Sequence, residues 1–100
     1  MKITKNIQKR TLTIAIEGEI DSTTSSEFEN SIKEDINKVD NLVLDFDKCS
    51  YISSAGLRVI LAARKHINNQ GEMSIINVNE TVLDVLTMTG FDKILKIETK

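Results

Sequence analysis

The side chains most often used for catalysis are scarce here, with one cysteine, Cys49, and one histidine, His66. A Cys–His nucleophilic pair needs the two within hydrogen-bond reach, and nothing local in the sequence joins them. An enzyme built on either residue would lose activity on Cys49→Ala; the reading preferred instead is that the chain is not an enzyme. His66 lies at helical spacing beside Ala62, as a surface or boundary histidine does. Cys49 cannot form an internal disulfide and reads as a small apolar packing residue. Asp45 and Asp47 share one face of a strand at its polar end, a solvated pair; no cluster of metal ligands is offered, and no metal or other cofactor is expected. Gly18, Gly56, Gly71 and Gly90 are each isolated, which disfavours phosphate-cradling and dinucleotide-binding loops. What remains is Ser53-Ser54-Ala55-Gly56, two hydroxyls where a strand gives way to a helix. On local grounds alone a serine there is a helix cap, its hydroxyl accepting from the first turn.

The elements around that turn follow from periodicity. Thr11 to Gly18 alternates with period two, a strand with one buried face, and a weaker strand near Ile3 to Ile7 is joined to it through Gln8-Lys9-Arg10 in a hairpin. Thr24 and Glu27 have capping-box spacing ahead of Phe28, Ile32 and Ile36, an amphipathic helix. The apolar run from Asn41 to Phe46 suits a central strand covered on both faces, and Met73 to Val78 suits a second buried strand. A helix is expected from Ser54 to about Asn69, another after the cap Asn79 and closed by Gly90, and a last strand from Ile94 to Ile97. Strands alternating with helices give an α/β fold: a mixed, mostly parallel sheet of four to five strands with an N-terminal antiparallel hairpin and three to four helices.

Projected at about 100° per residue, the helix after the serines sorts into two sides. Gly56, Leu57, Ile60, Ala63 and Ile67 face the sheet, and Arg64 falls toward that side with its charge reaching the rim. Ser54, Arg58, Ala62 and Lys65 face outward, flanked by Ala55 and Leu61. A hydroxyl, two cations and small apolar residues on one stripe suit the docking of a protein partner.

Composition sets the outer limits. One hundred residues, with 40% hydrophobic and 28% charged, describe one ordered domain over 1–100 with a single core. A net charge of -2 with both signs interspersed provides no basic block for nucleic acid or anionic membranes. No apolar run nears the ~20 residues that span a bilayer, and Met1 to Asn6 lacks a secretory apolar segment, so a cytoplasmic protein without membrane insertion is expected.

Leu44-Asp45-Phe46, followed by Tyr51-Ile52-Ser53-Ser54-Ala55-Gly56-Leu57-Arg58-Val59-Ile60-Leu61, resembles the signature of STAS domains, specifically the stand-alone bacterial anti-sigma factor antagonists. Gly18-Glu19-Ile20-Asp21 resembles the segment after their early strand, and Met88-Thr89-Gly90-Phe91-Asp92-Lys93-Ile94 their closing helix-to-strand turn, so the resemblance spans nearly the whole chain. It implies that Ser54, or less readily Ser53, is phosphorylated by an anti-sigma factor that is itself a serine kinase and is restored by a serine phosphatase. The partner surface then comprises Asp21, Ser53, Ser54, Ala55, Gly56, Arg58, Leu61, Ala62 and Lys65. Ser53 stands where the family often has an acidic residue and Arg58 where many members have glycine, so a specialised docking surface is expected. The alternative within the family is a scaffold or transport-complex subunit that docks partners through the same turn without a phosphorylation cycle.

Overall fold

Lys9 and Arg10 make the first tight turn without glycine, and both adopt positive φ, 48° and 63°. That left-handed geometry costs an ordinary residue about 1–2 kcal/mol, and neighbouring bonds offset it. The Arg10 carbonyl accepts from the Asp40 and Asn41 amides at 2.8 and 3.1 Å. Its guanidinium grips both oxygens of the Asp40 carboxylate, at 2.8 and 3.1 Å. The turn joins β1 (Lys2–Gln8) to β2 (Thr11–Ile20), which pair antiparallel.

The computed structural model describes residues 1–67 and 71–100. After the hairpin the chain runs α1 (Ser25–Lys33), β3 (Asn41–Ile52), α2 (Ser54–Ile67), β4 (Met73–Val78), α3 (Glu80–Met88) and β5 (Lys96–Thr99). The five strands lie in chain order, β1-β2-β3-β4-β5, and every pair after the first is parallel. The mixed sheet, hairpin and three helices expected from the sequence are therefore present. The last residues of the expected second helix, Asn68 and Asn69, lie outside the described residues.

Crossovers of one hand that step steadily across the sheet lay all their helices on one face. Leu12, Ile14, Leu42, Leu44, Met73 and Ile75 point to that face and are buried under Phe28 and Ile32 of α1, Ile60 and Ile67 of α2, and Val82 and Leu86 of α3. Thr13, Val43, Asp45, Ser74 and Ile76 alternate with them and are only half-buried. The expectation that β3 is covered on both faces is thus corrected: its apolar run reads as two-sided because Val43 adds an apolar residue to an uncovered face.

Three local readings also change. Thr24 makes no capping bond to α1; its hydroxyl donates to the Glu19 carbonyl at 2.8 Å and accepts from the Asp21 amide at 2.9 Å. Ile36 is buried but sits in a separate 3-10 turn, Ile36–Lys38, beyond the end of α1. The last strand starts at Lys96, because Phe91–Lys93 forms another 3-10 turn. Two helix-end readings hold: the Asn79 carboxamide oxygen accepts from the Val82 amide at 2.8 Å, and Gly90 follows α3 at φ 80°.

Candidate functional site

β3 is longer than its sequence pattern suggests, since Asp47 to Ser50 breaks the alternation. Two register shifts absorb that stretch, and pairing with β2 resumes at Glu19↔Tyr51 and Ile20↔Ile52. The connection from β3 to α2 is consequently one residue, Ser53, pinned by its amide donating to the Ile20 carbonyl at 2.8 Å. Its own carbonyl accepts from the Leu57 amide at 3.0 Å, the first bond of α2. A connection this short, held at both ends, fixes where the following hydroxyl emerges.

The two serines differ sharply. The Ser53 hydroxyl is buried and has no hydrogen-bond partner. It does not cap the helix, which corrects the expectation that a serine here would act through its side chain. Ser54, the first residue of α2, is exposed. Ser54 is therefore open to solvent, whereas Ser53 Oγ is closed off by the turn.

Beneath the serines lies Gly56. A Cβ at that position would come within 2.6 Å of Ile20 Cγ2 and 2.7 Å of Ile52 Cγ1. These are the two residues of the last register pair, so the glycine lets α2 settle directly onto the ends of β2 and β3. Gly56 is buried, so its expected part in partner contact is corrected to support of the turn.

Asp21 follows Ile20 as Ser53 follows Ile52, which brings it beside the turn. Its carboxylate accepts from the Thr23 and Thr24 amides at 2.9 and 3.0 Å. Those bonds, that from Thr24 foremost, hold the carboxyl below the usual aspartate range. Asp21 thus shapes the loop into α1, and it is itself half-buried.

The two sides of α2 are as expected. Gly56, Leu57, Ile60, Ala63 and Ile67 are buried, joined by Val59. Ser54, Arg58, Leu61, Ala62 and Lys65 are exposed, and Ala55 is half-buried. Arg64 is half-buried too, with Nε donating to the Ile94 carbonyl and Nη1 enclosed without an acceptor. One surface residue beside this stripe escaped sequence reasoning. Ile94, 40% exposed, meets Leu61 only through the tertiary fold.

Nothing in the geometry favours Cys49 chemistry. Burial pushes its thiol up to about 11, where the nucleophilic thiolate is rare at neutral pH. Its Sγ lies 3.5 Å from the Tyr51 carbonyl. His66 is exposed near the far end of α2. Among the described residues no group of three or more His, Cys, Asp or Glu gathers as metal ligands, and no helix is long and apolar enough to cross a membrane.

The chain is similar to known proteins along its whole length. The anti-sigma F factor antagonist of Paenibacillus polymyxa is 35% identical over 89 residues, covering 86% of this chain and 76% of that protein. An anti-sigma factor antagonist from Mycobacterium paratuberculosis superposes with a TM-score of 0.91 at 18% identity, over 99% of this chain and 86% of the other. The phosphorylated form of the Bacillus cell fate determinant SpoIIAA gives 0.76 at 18% identity, over 99% and 93%. These last two establish likeness of fold. The family model described as the STAS domain matches residues 2–100, and with this match the chain belongs to the STAS domain family.

Proposed function

We propose that this chain is an anti-sigma factor antagonist, switched by phosphorylation of Ser54. In the unmodified state the turn and the outward side of α2 bind an anti-sigma factor that is a serine kinase, displacing the sigma factor it holds. The observation that carries this reading is the contrast at the turn: Ser54 is exposed on the first residue of α2, while the Ser53 hydroxyl is enclosed. A relative supports it, since the P. polymyxa protein is named as an anti-sigma F factor antagonist.

In the modifying step, Ser54 Oγ attacks the γ-phosphorus of ATP held by the kinase. The bond to the ADP oxygen breaks, and the hydroxyl proton passes to a base on the kinase. A serine phosphatase reverses this with water, returning the hydroxyl and inorganic phosphate. The new group carries about -1.5 to -2 charge at neutral pH. In a packed interface it is desolvated and opposes acidic partner groups, and a loss of ~4 kcal/mol in association weakens binding about a thousandfold. Inside the domain the same anion is tolerated, because the first-turn amides of α2 and Arg58, one turn on, both favour it.

The test is the affinity of Ser54→Asp and Ser54→Ala for anti-sigma factor kinases of the same genome. Ser54→Ala is expected to bind as the parent does and Ser54→Asp to bind much more weakly; equal affinities would overturn the switch. Mass spectrometry after incubation with kinase and ATP should find one phosphate, on Ser54. Binding with no phosphate on either serine would instead identify a STAS docking module without a phosphorylation cycle.

A further inference from the structure

The cations of this molecule are unevenly used. Lys5, Arg10, Lys33 and Lys38 each pair with a carboxylate on or near the hairpin and α1. Among the described residues no ion pair involves Arg58, Arg64, Lys65 or Lys93, and α2 contains no Asp or Glu. A protein of net charge -2 thus gathers cations without ion pairs on α2 and on the turn before β5.

That charge rings an apolar spot. Leu61, 36% exposed, and Ile94, 40% exposed, line one shallow hollow whose other walls are Arg64, Lys65 and Lys93. The bond from Arg64 Nε to the Ile94 carbonyl ties α2 to the segment before β5 and fixes the floor. Of the two other guanidinium nitrogens Nη1 is enclosed and Arg64 as a whole is half-buried, whereas Lys65 and Lys93 are exposed at the border of the hollow. Apolar side chains bordered by cations, with no carboxylate in the lining, complement an apolar segment bordered by acids.

The hollow also continues the partner surface. Arg58, Leu61 and Lys65 succeed Ser54 along one side of α2, and at ~1.5 Å per residue Lys65 lies roughly 16 Å from Ser54. A standard interface of about 800 Å² per partner readily spans such a distance.

We propose that the Leu61–Ile94 hollow, with Lys65 and Lys93 at its border, is a second docking contact that receives an acidic, apolar segment of the anti-sigma factor. It rests on the reading of this chain as an antagonist that binds through α2. The contact lies beyond direct reach of a phosphate on Ser54, so it anchors the partner while the turn carries the switch.

The experiment measures binding of the purified anti-sigma factor kinase to Lys65→Glu/Lys93→Glu, to Leu61→Ser and to a control, Lys2→Glu/Lys9→Glu. The control changes net charge equally but sits on the β1 edge of the sheet, opposite β5. The Lys65/Lys93 variant is expected to lose at least about tenfold in affinity at low salt, and the gap to narrow near ~0.5 M salt, where exposed charges are screened. Leu61→Ser is expected to lose affinity at both salt concentrations, and the control to stay within about twofold of the parent. Melting curves matching the parent's establish that the variants are folded. If both hollow variants bind within about twofold of the control, the second contact is overturned even though Ser54→Asp still blocks binding. If Ser54→Asp binds like the parent while the hollow variants fail, the switch is overturned and the contact stands. If the parent binds no such kinase, both are overturned.

Discussion

Ser53 presents an unusual balance at the scale of single residues. A serine that begins a helix ordinarily contributes about 0.5–2 kcal/mol through its hydroxyl, which alanine removes. Here the hydroxyl is buried and unpartnered, a condition that carries a desolvation penalty of about 1–3 kcal/mol. Ser53→Ala is therefore expected to leave stability unchanged or to raise it, as read by urea denaturation; a loss of ~1 kcal/mol or more would show that the hydroxyl does cap α2. Gly56 gives the opposite prediction. Alanine is the better helix former by up to ~1 kcal/mol, yet its methyl would stand 2.6 Å from Ile20 Cγ2. Overpacking of this kind costs about 1–3 kcal/mol, and the shift it forces falls on the residues that hold Ser53. Gly56→Ala is thus expected to lower the urea midpoint and to weaken partner binding beyond what its fraction unfolded explains. A midpoint at or above the parent's would show that the contact is soft.

α2 is the element on which the parts of the site meet, and it was also the most legible from sequence. Its apolar spacing named five of the six buried positions and the exposed stripe, because a helix packed on a sheet leaves its period in the residue types. Asn79 and Gly90 were legible for a similar reason, since cap geometry is local. What could not be read were features set by strand partners. The extension of β3 to Ile52 depends on register shifts against β2, and Thr24 serves the Glu19 carbonyl in place of its own helix. The closeness of Gly56 to Ile20 and of Ile94 to Leu61 joins segments far apart in the chain. Arg58 provides the element-scale prediction, being exposed four residues after Ser54. A phosphoserine at the start of a helix with a cation at i+4 gains from the terminal amides and from the pair, together about 0.5–1 kcal/mol. Protein carrying phosphoserine installed at position 54 during synthesis is expected to melt higher than the unmodified chain, and Arg58→Gln to remove part of that rise. An equal rise in Arg58→Gln would assign the whole effect to the helix terminus.

Across the whole molecule, one covered sheet face leaves the hairpin edge in need of its own fastening, and charge supplies it. Lys5 on β1 reaches the Ser31 carbonyl at 3.2 Å and Asp35 Oδ2 at 2.8 Å, binding the edge strand to the end of α1. Lys38 approaches the other oxygen of Asp35 at 3.3 Å. The hydrogen bond from Lys5 is the main reason the Asp35 carboxyl lies below its ordinary range, and Arg10 does the same for Asp40. With Asp21 held down as well, three carboxyls resist protonation in the folded state more than in the unfolded chain, where aspartate titrates near ~3.9. Below neutrality the unfolded state accordingly binds more protons, so stability rises with pH across that range. Their contribution is complete above the unfolded value and is lost as pH falls through the folded ones. Lys5 has the opposite sign: its pKa is raised, chiefly by the bond to Asp35, so its share is present below the ordinary lysine value and fades as pH climbs through the raised one. Melting temperature is therefore expected to change little between mildly acidic and mildly alkaline pH and to fall in acid. Asp35→Asn keeps the size of the side chain but removes its charge and its proton uptake, and it also leaves Lys5 without its main partner. Its melting temperature is expected to lie below the parent's at neutral pH, with the gap closing as both are taken toward pH ~3. A gap that stays constant over that range would mean that the Lys5–Asp35 bond holds the hairpin by shape alone, with no linkage to charge.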